Sequence, residues 1–215
     1  MKKKLVIFDL DGTLLNTIED LGTACNHALK EMGFSQHPIG AYYFMVGNGV
    51  KSLIEKAQPD ADPVTIEKLL EYFRDYYDSH CTVNTHPYRG IPELLQILKD
   101  NNVAMAVASN KYQEATSKII SYYFPDIPFV AVEGNREGMP RKPDPSVVFS
   151  ILLQHPTPKS DVLYVGDSGV DMETARRACI ESVGVTWGFR PSSELRKFYA
   201  DHIVSDPSEI LKFCE

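Results

Sequence analysis

Cysteines are few in this sequence, and none stands as part of a pair. The four occur far apart, at positions 25, 81, 179 and 214. Disulfide frameworks and zinc sites need cysteines at recognisable paired spacings. We therefore expect free thiols in a reducing cytoplasm and no zinc site.

Long hydrophobic runs are also missing. No stretch approaches the roughly 18 apolar residues that a membrane-spanning helix needs. The lysines at residues 2–4 precede an apolar stretch, but Asp9 and Asp11 interrupt it too early for the apolar region of a signal peptide. We therefore expect a cytoplasmic protein that does not associate with a membrane.

The sequence also lacks an excess of positive charge. The formal net charge is -7 over 215 residues, whereas a nucleic-acid partner would favour a basic patch. A content of 43% hydrophobic and 24% charged residues is ordinary for a soluble globular protein. The length allows one or two domains. We expect no nucleic-acid partner, and either a monomer or a homodimer.

What the sequence does have is acidic residues directly after apolar runs. Two such runs, residues 5–8 and 162–165, are each followed by two aspartates. Each run reads as a buried parallel strand that ends at a loop, and ligands bind at this edge of open α/β sheets. Crowded carboxylates raise one another's pKa values, and a hard cation such as Mg2+ relieves that repulsion. The four acids are Asp9, Asp11, Asp167 and Asp171.

Residues 14–85 carry helical patterns and no strand pattern. Asn16 with Glu19 predicts a capping-box-like helix start, and Gly33 predicts the end of that helix. A second long amphipathic helix is predicted over residues 63–81, and the Gly-Asn-Gly sequence at 47–49 predicts a turn before a short helix. These patterns indicate a small helical domain inserted after the first strand.

From residue 87 onward, strand and helix patterns alternate. This alternation predicts βαβ units, a parallel sheet and therefore the α/β fold class. The predicted strands cover residues 103–108, 129–132, 162–165, 182–185 and 202–204. The predicted helices cover residues 92–101, 112–123, 145–154 and 170–178, with a last helix from residue 207.

The first acidic motif has the residues needed for phosphoryl transfer. At a strand end, Asp9 can attack a phosphoryl group and form an aspartyl phosphate, while Asp11 can protonate the leaving group and then activate water. Gly12 permits a tight turn, and Thr13 offers a hydroxyl and an N–H to a phosphate oxygen. A plain Asp-Gly turn is one alternative. A calcium loop is another, but Ile18 stands where its terminal Glu should be.

Further polar residues are predicted at the same edge of the sheet. Ser109 and Asn110 follow the strand at 103–108, where Ser109 can hold a phosphate oxygen; a helix N-cap is the alternative. Lys142, stiffened by the adjacent Pro143, can neutralise the nucleophile and the phosphate, although a lone lysine is usually a surface residue.

The second acidic motif completes this set. Asp167 is predicted to complete the metal site. Asp171, near the first turn of the following helix, is predicted to orient Lys142 or a metal-bound water. Stabilisation of the helix dipole is the alternative role of Asp171, and the two roles are compatible.

These motifs, in this order, resemble the haloacid dehalogenase superfamily of phosphohydrolases. The matching residues are Asp9-x-Asp11-Gly12-Thr13, Ser109, Lys142 and Gly166-Asp167-x-x-x-Asp171. The resemblance implies a Rossmann-like core at residues 1–14 and 86–215, with a helical cap domain at 15–85. It also implies Mg2+ held by the side chains of Asp9 and Asp167 and by the backbone carbonyl of Asp11. Because the dehalogenase branch typically lacks the second acid of the first motif, Asp11 implies phosphoryl transfer.

Within that superfamily the sequence is most similar to bacterial phosphoglycolate phosphatases. The similar stretches are residues 8–21, 46–49, 87–90 and 184–190, although Arg89 stands where that family more often has a second proline. The resemblance implies hydrolysis of a small phosphorylated metabolite. In the cap, Asn48 and Gly49 are predicted to face that substrate, since paired glycines let backbone approach a ligand closely.

Three other functions are compatible with the same fold. A sugar phosphomutase of the β-phosphoglucomutase type would favour Val at Thr13 and a basic residue near Gly49. A pyrophosphatase would use the same residues. A binding protein without activity would be expected to have lost the nucleophile or Lys142, and neither is lost. We therefore predict a Mg2+-dependent phosphomonoesterase.

Overall fold

The computed structural model describes residues 2–214. Within them the chain forms a six-stranded parallel sheet and a separate sheet of two short antiparallel strands. The strands are β1 (Leu5–Phe8), β2 (Leu15–Asn16), β3 (His86–Pro87), β4 (Ala104–Tyr112), β5 (Phe129–Asn135), β6 (Val162–Gly166), β7 (Glu181–Val185) and β8 (His202–Val204).

Helices fill most of the chain between these strands. The α-helices are α1 (Ile18–Glu31), α2 (Gly49–Ala57), α3 (Pro63–His80), α4 (Ile91–Asp100), α5 (Gln113–Tyr123), α6 (Ser146–Gln154), α7 (Gly169–Ala178) and α8 (Ser192–Lys197). Three 3-10 helices cover Ile39–Phe44, Lys159–Asp161 and Pro207–Phe213. None of the helices within residues 2–214 combines the length and the apolar character needed to cross a bilayer.

Strand β1 lies in the middle of the large sheet, whose order is β5-β4-β1-β6-β7-β8. Its four residues are fully buried, because neighbouring parallel strands flank it on both sides. Phe8, the last residue of β1, lies level with Val107 of β4 and Val165 of β6. The residues that follow these three positions therefore lie at one edge. The predicted α/β fold with a parallel sheet is confirmed.

Both faces of this sheet are covered by apolar side chains. Val6 and Phe8 point into the larger hydrophobic cluster, whereas Leu5 and Ile7 point into a smaller one on the opposite face. Helices α4 and α5 contribute to the larger cluster, and α6 and α7 contribute to the smaller one. Burial of each large aliphatic side chain stabilises the fold by about 1.5–3 kcal/mol. The result is a rigid platform below the acidic loops.

Helices α1, α2 and α3 pack together beyond that edge and join the larger cluster. The start of α3 follows from its sequence, since Asp62 caps it by accepting hydrogen bonds from the backbone N–H groups of Val64 (2.9 Å) and Thr65 (3.0 Å). Pro63 occupies the first helical position, where its missing N–H costs nothing. Phe73 and Tyr77 on α3 are fully buried.

The small sheet joins the two points at which the chain enters and leaves this helical segment. Leu15 of β2 pairs with Pro87 of β3. Nearby, the buried carboxylate of Asp20 accepts hydrogen bonds from the backbone N–H groups of Asn84 (2.9 Å) and Thr85 (2.8 Å). The two crossings are therefore held side by side. The sequence analysis missed β2 because two residues are too few to show a pattern.

The predicted capping box at the start of α1 is wrong. The helix begins at Ile18, and Asn16 belongs to β2 instead. Thr17 stands at the N-cap position but makes no capping hydrogen bond, and its hydroxyl donates to Asp11 at 2.7 Å. Thr17 thus links the start of α1 to a residue of the site.

Three other elements differ from the predictions. Strand β4 continues to Tyr112 instead of ending at residue 108, and its pairing with β5 is irregular between Ala108 and Tyr112. The predicted C-terminal helix is a 3-10 helix. Helix α8 was not predicted, since its six residues are too few for a helical period to show.

Candidate active site

Three buried carboxylates converge at the edge where β1 and β6 end. Asp9 follows β1, Asp167 follows β6, and Asp171 lies in the first turn of α7. One oxygen from each lies within 4.8 Å of the others. Glycine makes this approach possible: a side chain at Gly12, which has a φ of 87°, would place its Cβ 2.4 Å from an oxygen of Asp167.

One buried ammonium group holds two of these carboxylates. Lys142 Nζ lies 2.7 Å from Asp9 Oδ1, 2.8 Å from Asp171 Oδ1 and 2.8 Å from the backbone carbonyl of Ala108. All three N–H groups of the ammonium are therefore used. The peptide bond between Lys142 and Pro143 is cis. Although burial acts to lower it, the pKa of Lys142 is raised above its ordinary value by Asp171 and Asp9.

The carboxylates outnumber the ammonium that neutralises them. Burial, and then the charge of Asp171, raise the pKa of Asp9 to about 7. Burial and the charges of Asp171 and Asp9 also raise the pKa of Asp167 well above its usual range. A hard divalent cation would remove this repulsion, and carboxylate oxygens are the ligands that Mg2+ prefers. The donor set therefore fits Mg2+.

The surroundings of Asp171 leave it little capacity as a ligand. Oδ1 accepts from Lys142, and Oδ2 accepts from the hydroxyl (2.6 Å) and the backbone N–H (3.1 Å) of Ser168. Asp171 and Ser168 also form a capping box at the start of α7. Asp171 thus both orients Lys142 and supports a helix terminus, while Asp9 and Asp167 keep oxygens for a cation.

The side chain of Asp11 has a different set of partners. Its Oδ1 accepts from Thr17 at 2.7 Å and lies 3.2 Å from Lys111 Nζ. The sequence analysis did not select Lys111, which is buried and lines the same cavity. Its position two residues after Ser109 was the available signal, because alternate residues of a strand share one face.

Asn110 fixes the backbone around Lys142. Its Oδ1 accepts from the Lys142 backbone N–H (2.9 Å), while its Nδ2 donates to the backbone carbonyls of Lys142 (3.1 Å) and Gly47 (3.0 Å). Ser109 Oγ accepts from the backbone N–H of Lys111 at 3.2 Å. Ser109 and Asn110 therefore reach the site as predicted, and Asn110 also connects it to the helical segment.

These residues surround a small cavity. The volume open to the centre of a water molecule is only about 40 Å³. The large sheet supplies the charged walls, and the helical segment supplies apolar walls that include Val50 and Leu53. Gly47 and Gly49 line the cavity, but the exposed Asn48 does not. The predicted contact between Asn48 and substrate stays a prediction.

Thr13 and Arg190 differ in how they relate to this cavity. Thr13 is not among the residues that line the cavity, and its buried hydroxyl has no hydrogen-bond partner within residues 2–214. Arg190, which the sequence analysis gave no role, lines the cavity and donates to the backbone carbonyls of Tyr43 and Val46, the latter at 2.7 Å.

Such a parallel sheet, with buried carboxylates and a lysine at the end of its central strands, is the arrangement expected from the first sequence motif. The family model described as haloacid dehalogenase-like hydrolase matches residues 6–185. The chain therefore belongs to the haloacid dehalogenase-like hydrolase family.

Similar proteins within this family are phosphatases. The chain is 31% identical to phosphoglycolate phosphatase from Aquifex aeolicus, covering 99% of this chain and 97% of that protein. It is 29% identical to phosphoglycolate phosphatase from Haemophilus influenzae, covering 97% and 96%. The crystal structure of a predicted phosphoglycolate phosphatase from Haemophilus somnus, 26% identical, superposes with a TM-score of 0.92 and covers 100% of this chain and 99% of that one. The chain is a phosphatase of this family.

Proposed function

We propose that the protein is a Mg2+-dependent phosphomonoesterase that hydrolyses a small phosphorylated metabolite through an aspartyl phosphate on Asp9. The observation that carries this proposal is the buried group of Asp9, Asp167 and Asp171 around a single ammonium, Lys142. This group combines a nucleophile, a fixed cation and spare carboxylate oxygens within one small cavity.

The cation in this proposal is held by the side chains of Asp9 and Asp167 and by the backbone carbonyl of Asp11. Bound Mg2+ would screen the phosphate charge and orient the phosphoryl oxygens for attack. Lys142 would hold Asp9 in place and share in neutralising the phosphate. The hydroxyls of Thr13 and Ser109 would donate hydrogen bonds to phosphate oxygens, and Asn110 and Gly49 would line the phosphate site.

The proposed reaction has two displacements at phosphorus. In the first, an oxygen of Asp9 forms a bond to phosphorus while the bond to the ester oxygen breaks, and Asp11 gives its proton to that leaving oxygen. In the second, Asp11 takes a proton from water, the water oxygen attacks phosphorus, and the bond to Asp9 breaks. Inorganic phosphate and the free alcohol are the products, and both aspartates return to their initial states.

We further propose that residues 1–14 and 86–215 form the catalytic core and that residues 15–85 form a cap that covers it. The pairing of β2 with β3 supports this division, because it places the two connections between core and cap side by side. The cap would exclude bulk water while Asp9 attacks.

Phosphoglycolate is the substrate we propose first. The relatives from Aquifex aeolicus and Haemophilus influenzae are named phosphoglycolate phosphatases. The cavity also supports a short leaving group, because about 40 Å³ is room for the centres of only a few waters.

The deciding experiment is a screen of phosphorylated compounds with Mg2+ and with EDTA. We expect phosphoglycolate to be hydrolysed fastest, with little turnover of glucose 1-phosphate or pyrophosphate, which represent the mutase and pyrophosphatase alternatives. EDTA should remove the activity and added Mg2+ should restore it. Full activity in EDTA after extensive dialysis would contradict the metal-dependent mechanism, and preference for pyrophosphate would contradict the monoesterase.

A further inference from the structure

Lys111 is a buried cation in the cavity to which neither the sequence motifs nor the proposed reaction gives a role. Its side chain is 2% exposed, and its Nζ lies 3.2 Å from Asp11 Oδ1. The same Nζ donates to the hydroxyl of Tyr77 at 2.8 Å and lies 4.7 Å from the centre of that ring. Burial of an ammonium is costly unless it has charged or hydrogen-bonding partners. Its placement therefore calls for a functional explanation.

The other cations that line the cavity are held by protein groups. Lys142 uses its three N–H groups on two carboxylates and a carbonyl. Arg190 donates to two backbone carbonyls and lies 3.7 Å from Glu194. Lys111 has two such partners, so within residues 2–214 its third N–H has no hydrogen-bond acceptor. Lys111 is thus a buried lysine that lines the cavity and has a donor left for a ligand.

The position of Lys111 indicates which part of a ligand it would meet. Lys111 and Ser109 both line the cavity from the end of β4. In the proposed reaction Ser109 contacts the phosphate, while Asp11 contacts the oxygen that leaves. Because Lys111 Nζ is only 3.2 Å from Asp11, it lies on the leaving-group side of the phosphate. A group attached one or two bonds beyond the ester oxygen would be within its reach.

We propose that Lys111 is a specificity-determining residue that binds an anionic group, such as a carboxylate, on the leaving group. This inference rests on the proposed phosphomonoesterase activity. It restricts good substrates to small phosphate esters of hydroxy acids, in which the second negative charge lies within two bonds of the ester oxygen. The small volume beside Lys111 favours such a short connection.

Tyr77 gives this recognition a link to the helical segment. The tyrosine belongs to α3 and is fully buried, whereas Lys111 belongs to β4 of the large sheet. Its hydroxyl accepts a hydrogen bond from the ammonium, which also lies over its ring. Tyr77 is therefore a positioning residue, and the anion site is complete only while α3 packs against the sheet.

The test compares two substrates that differ only in the charged group. Ethyl phosphate has a methyl group where phosphoglycolate has its carboxylate. We expect wild-type kcat/KM to favour phosphoglycolate by roughly 10- to 150-fold, the effect of a hydrogen bond between charged groups. Lys111→Met should reduce this ratio to near one, and Lys111→Arg should keep most of it. Lys51→Met, which removes an exposed lysine of α2, serves as the matched control and should leave the ratio unchanged.

Lys111→Gln adds a neutral variant whose amide can still donate to Asp11 or Tyr77, in case the methionine variant does not fold. Its ratio should also approach one. An equal loss on both substrates in these variants would overturn the inference, because Lys111 would then act on Asp11 alone. A wild-type ratio within threefold of one would overturn it without any variant. If the two substrates are hydrolysed equally well with Mg2+, the Lys111 inference is overturned but the proposed phosphomonoesterase activity is kept. If no phosphomonoester is hydrolysed, both proposals are overturned.

Discussion

Lys142 limits what each acidic side chain of the site can do. It holds Asp9 Oδ1 and Asp171 Oδ1 at nearly equal distances, 2.7 and 2.8 Å, while Asp167 is held separately by the backbone N–H of Phe189 at 2.6 Å. Asp171 is therefore bound through both oxygens, to the lysine and to Ser168, whereas Asp9 keeps one oxygen for the attack that we propose. Substitutions at single residues can separate these roles.

Asp9→Asn should abolish turnover and leave the fold intact. An amide is a poor nucleophile and a poorer Mg2+ ligand than a carboxylate. Loss of an essential covalent group lowers the rate by more than about a hundredfold. Steady-state hydrolysis of p-nitrophenyl phosphate measures the loss, with circular dichroism as the check on folding. Asp60→Asn, at an exposed residue, is the matched control and should retain wild-type activity. Residual activity within tenfold of wild type would exclude Asp9 as the nucleophile.

Asp11→Asn should affect poor leaving groups more than good ones. An asparagine oxygen can still accept from Thr17 and Lys111, so the local contacts survive, but the amide cannot protonate a leaving alkoxide. The loss of rate should therefore be large with ethyl phosphate and smaller with p-nitrophenyl phosphate, whose leaving group hardly needs a proton. The ratio of the two losses is the measurement. Equal losses on both compounds would count against Asp11 as the acid.

The core site residues could be selected from sequence because their signals are local. Asp9 and Asp167 each stand directly after an apolar strand run, and β1 and β6 pair in the sheet. Lys111 and Arg190 carry no such signal. Arg190 meets the carbonyl of Val46 across 144 positions of sequence, and only the folded chain shows that contact.

Contacts between elements hold the loop before α2 over the site. Arg190 and Asn110, both in chain regions of the large sheet, donate to backbone carbonyls at residues 43, 46 and 47. Backbone acceptors place no demand on the identity of the loop side chains, so the loop sequence can vary while the contact persists. These hydrogen bonds fix the loop against the large sheet.

Arg190→Met should loosen this loop without loosening the sheet. The methionine keeps part of the apolar stem but removes every donor to residues 43 and 46. We expect faster amide hydrogen exchange in residues 43–50 and unchanged exchange in β1 and β6, measured by mass spectrometry. Turnover should fall in proportion to the population of the closed state. Arg176→Met, at an exposed arginine on α7, is the control. Unchanged exchange in residues 43–50 would show that other contacts hold the loop.

Long helices were predictable from the sequence, and very short strands were not. Helix α3 was predicted within one residue because it has 18 residues and a capping aspartate. Strand β2 has two residues and exists only because β3 pairs with it. The predicted cap of α1 failed for a related reason, since Asn16 belongs to this short strand and the helix begins at Ile18.

For the molecule as a whole, the acidic cluster lowers stability, and a bound cation would relieve this cost. In the unfolded chain an aspartate ionises near pH 3.8, whereas burial and Asp171 raise the pKa of Asp9 to about 7 in the fold. Between these values the folded protein binds more protons than the unfolded chain. The free energy of unfolding of the metal-free protein should therefore fall as the pH rises from about 4 to 7.

Mg2+ should stabilise the protein more at pH 8 than at pH 5. At pH 5 the cation must displace protons from Asp9 and Asp167, both of which have raised pKa values, whereas at pH 8 Asp9 is already ionised. At a Mg2+ concentration of about 100 times Kd, the gain is about 2.7 kcal/mol, or roughly 5–10 °C in Tm. Differential scanning fluorimetry with Mg2+ or EDTA at both pH values measures it. Asp167→Asn should remove most of the shift at pH 8, and Asp60→Asn should not. An equal Mg2+ shift at pH 5 and pH 8 would show that the cation does not bind to these carboxylates.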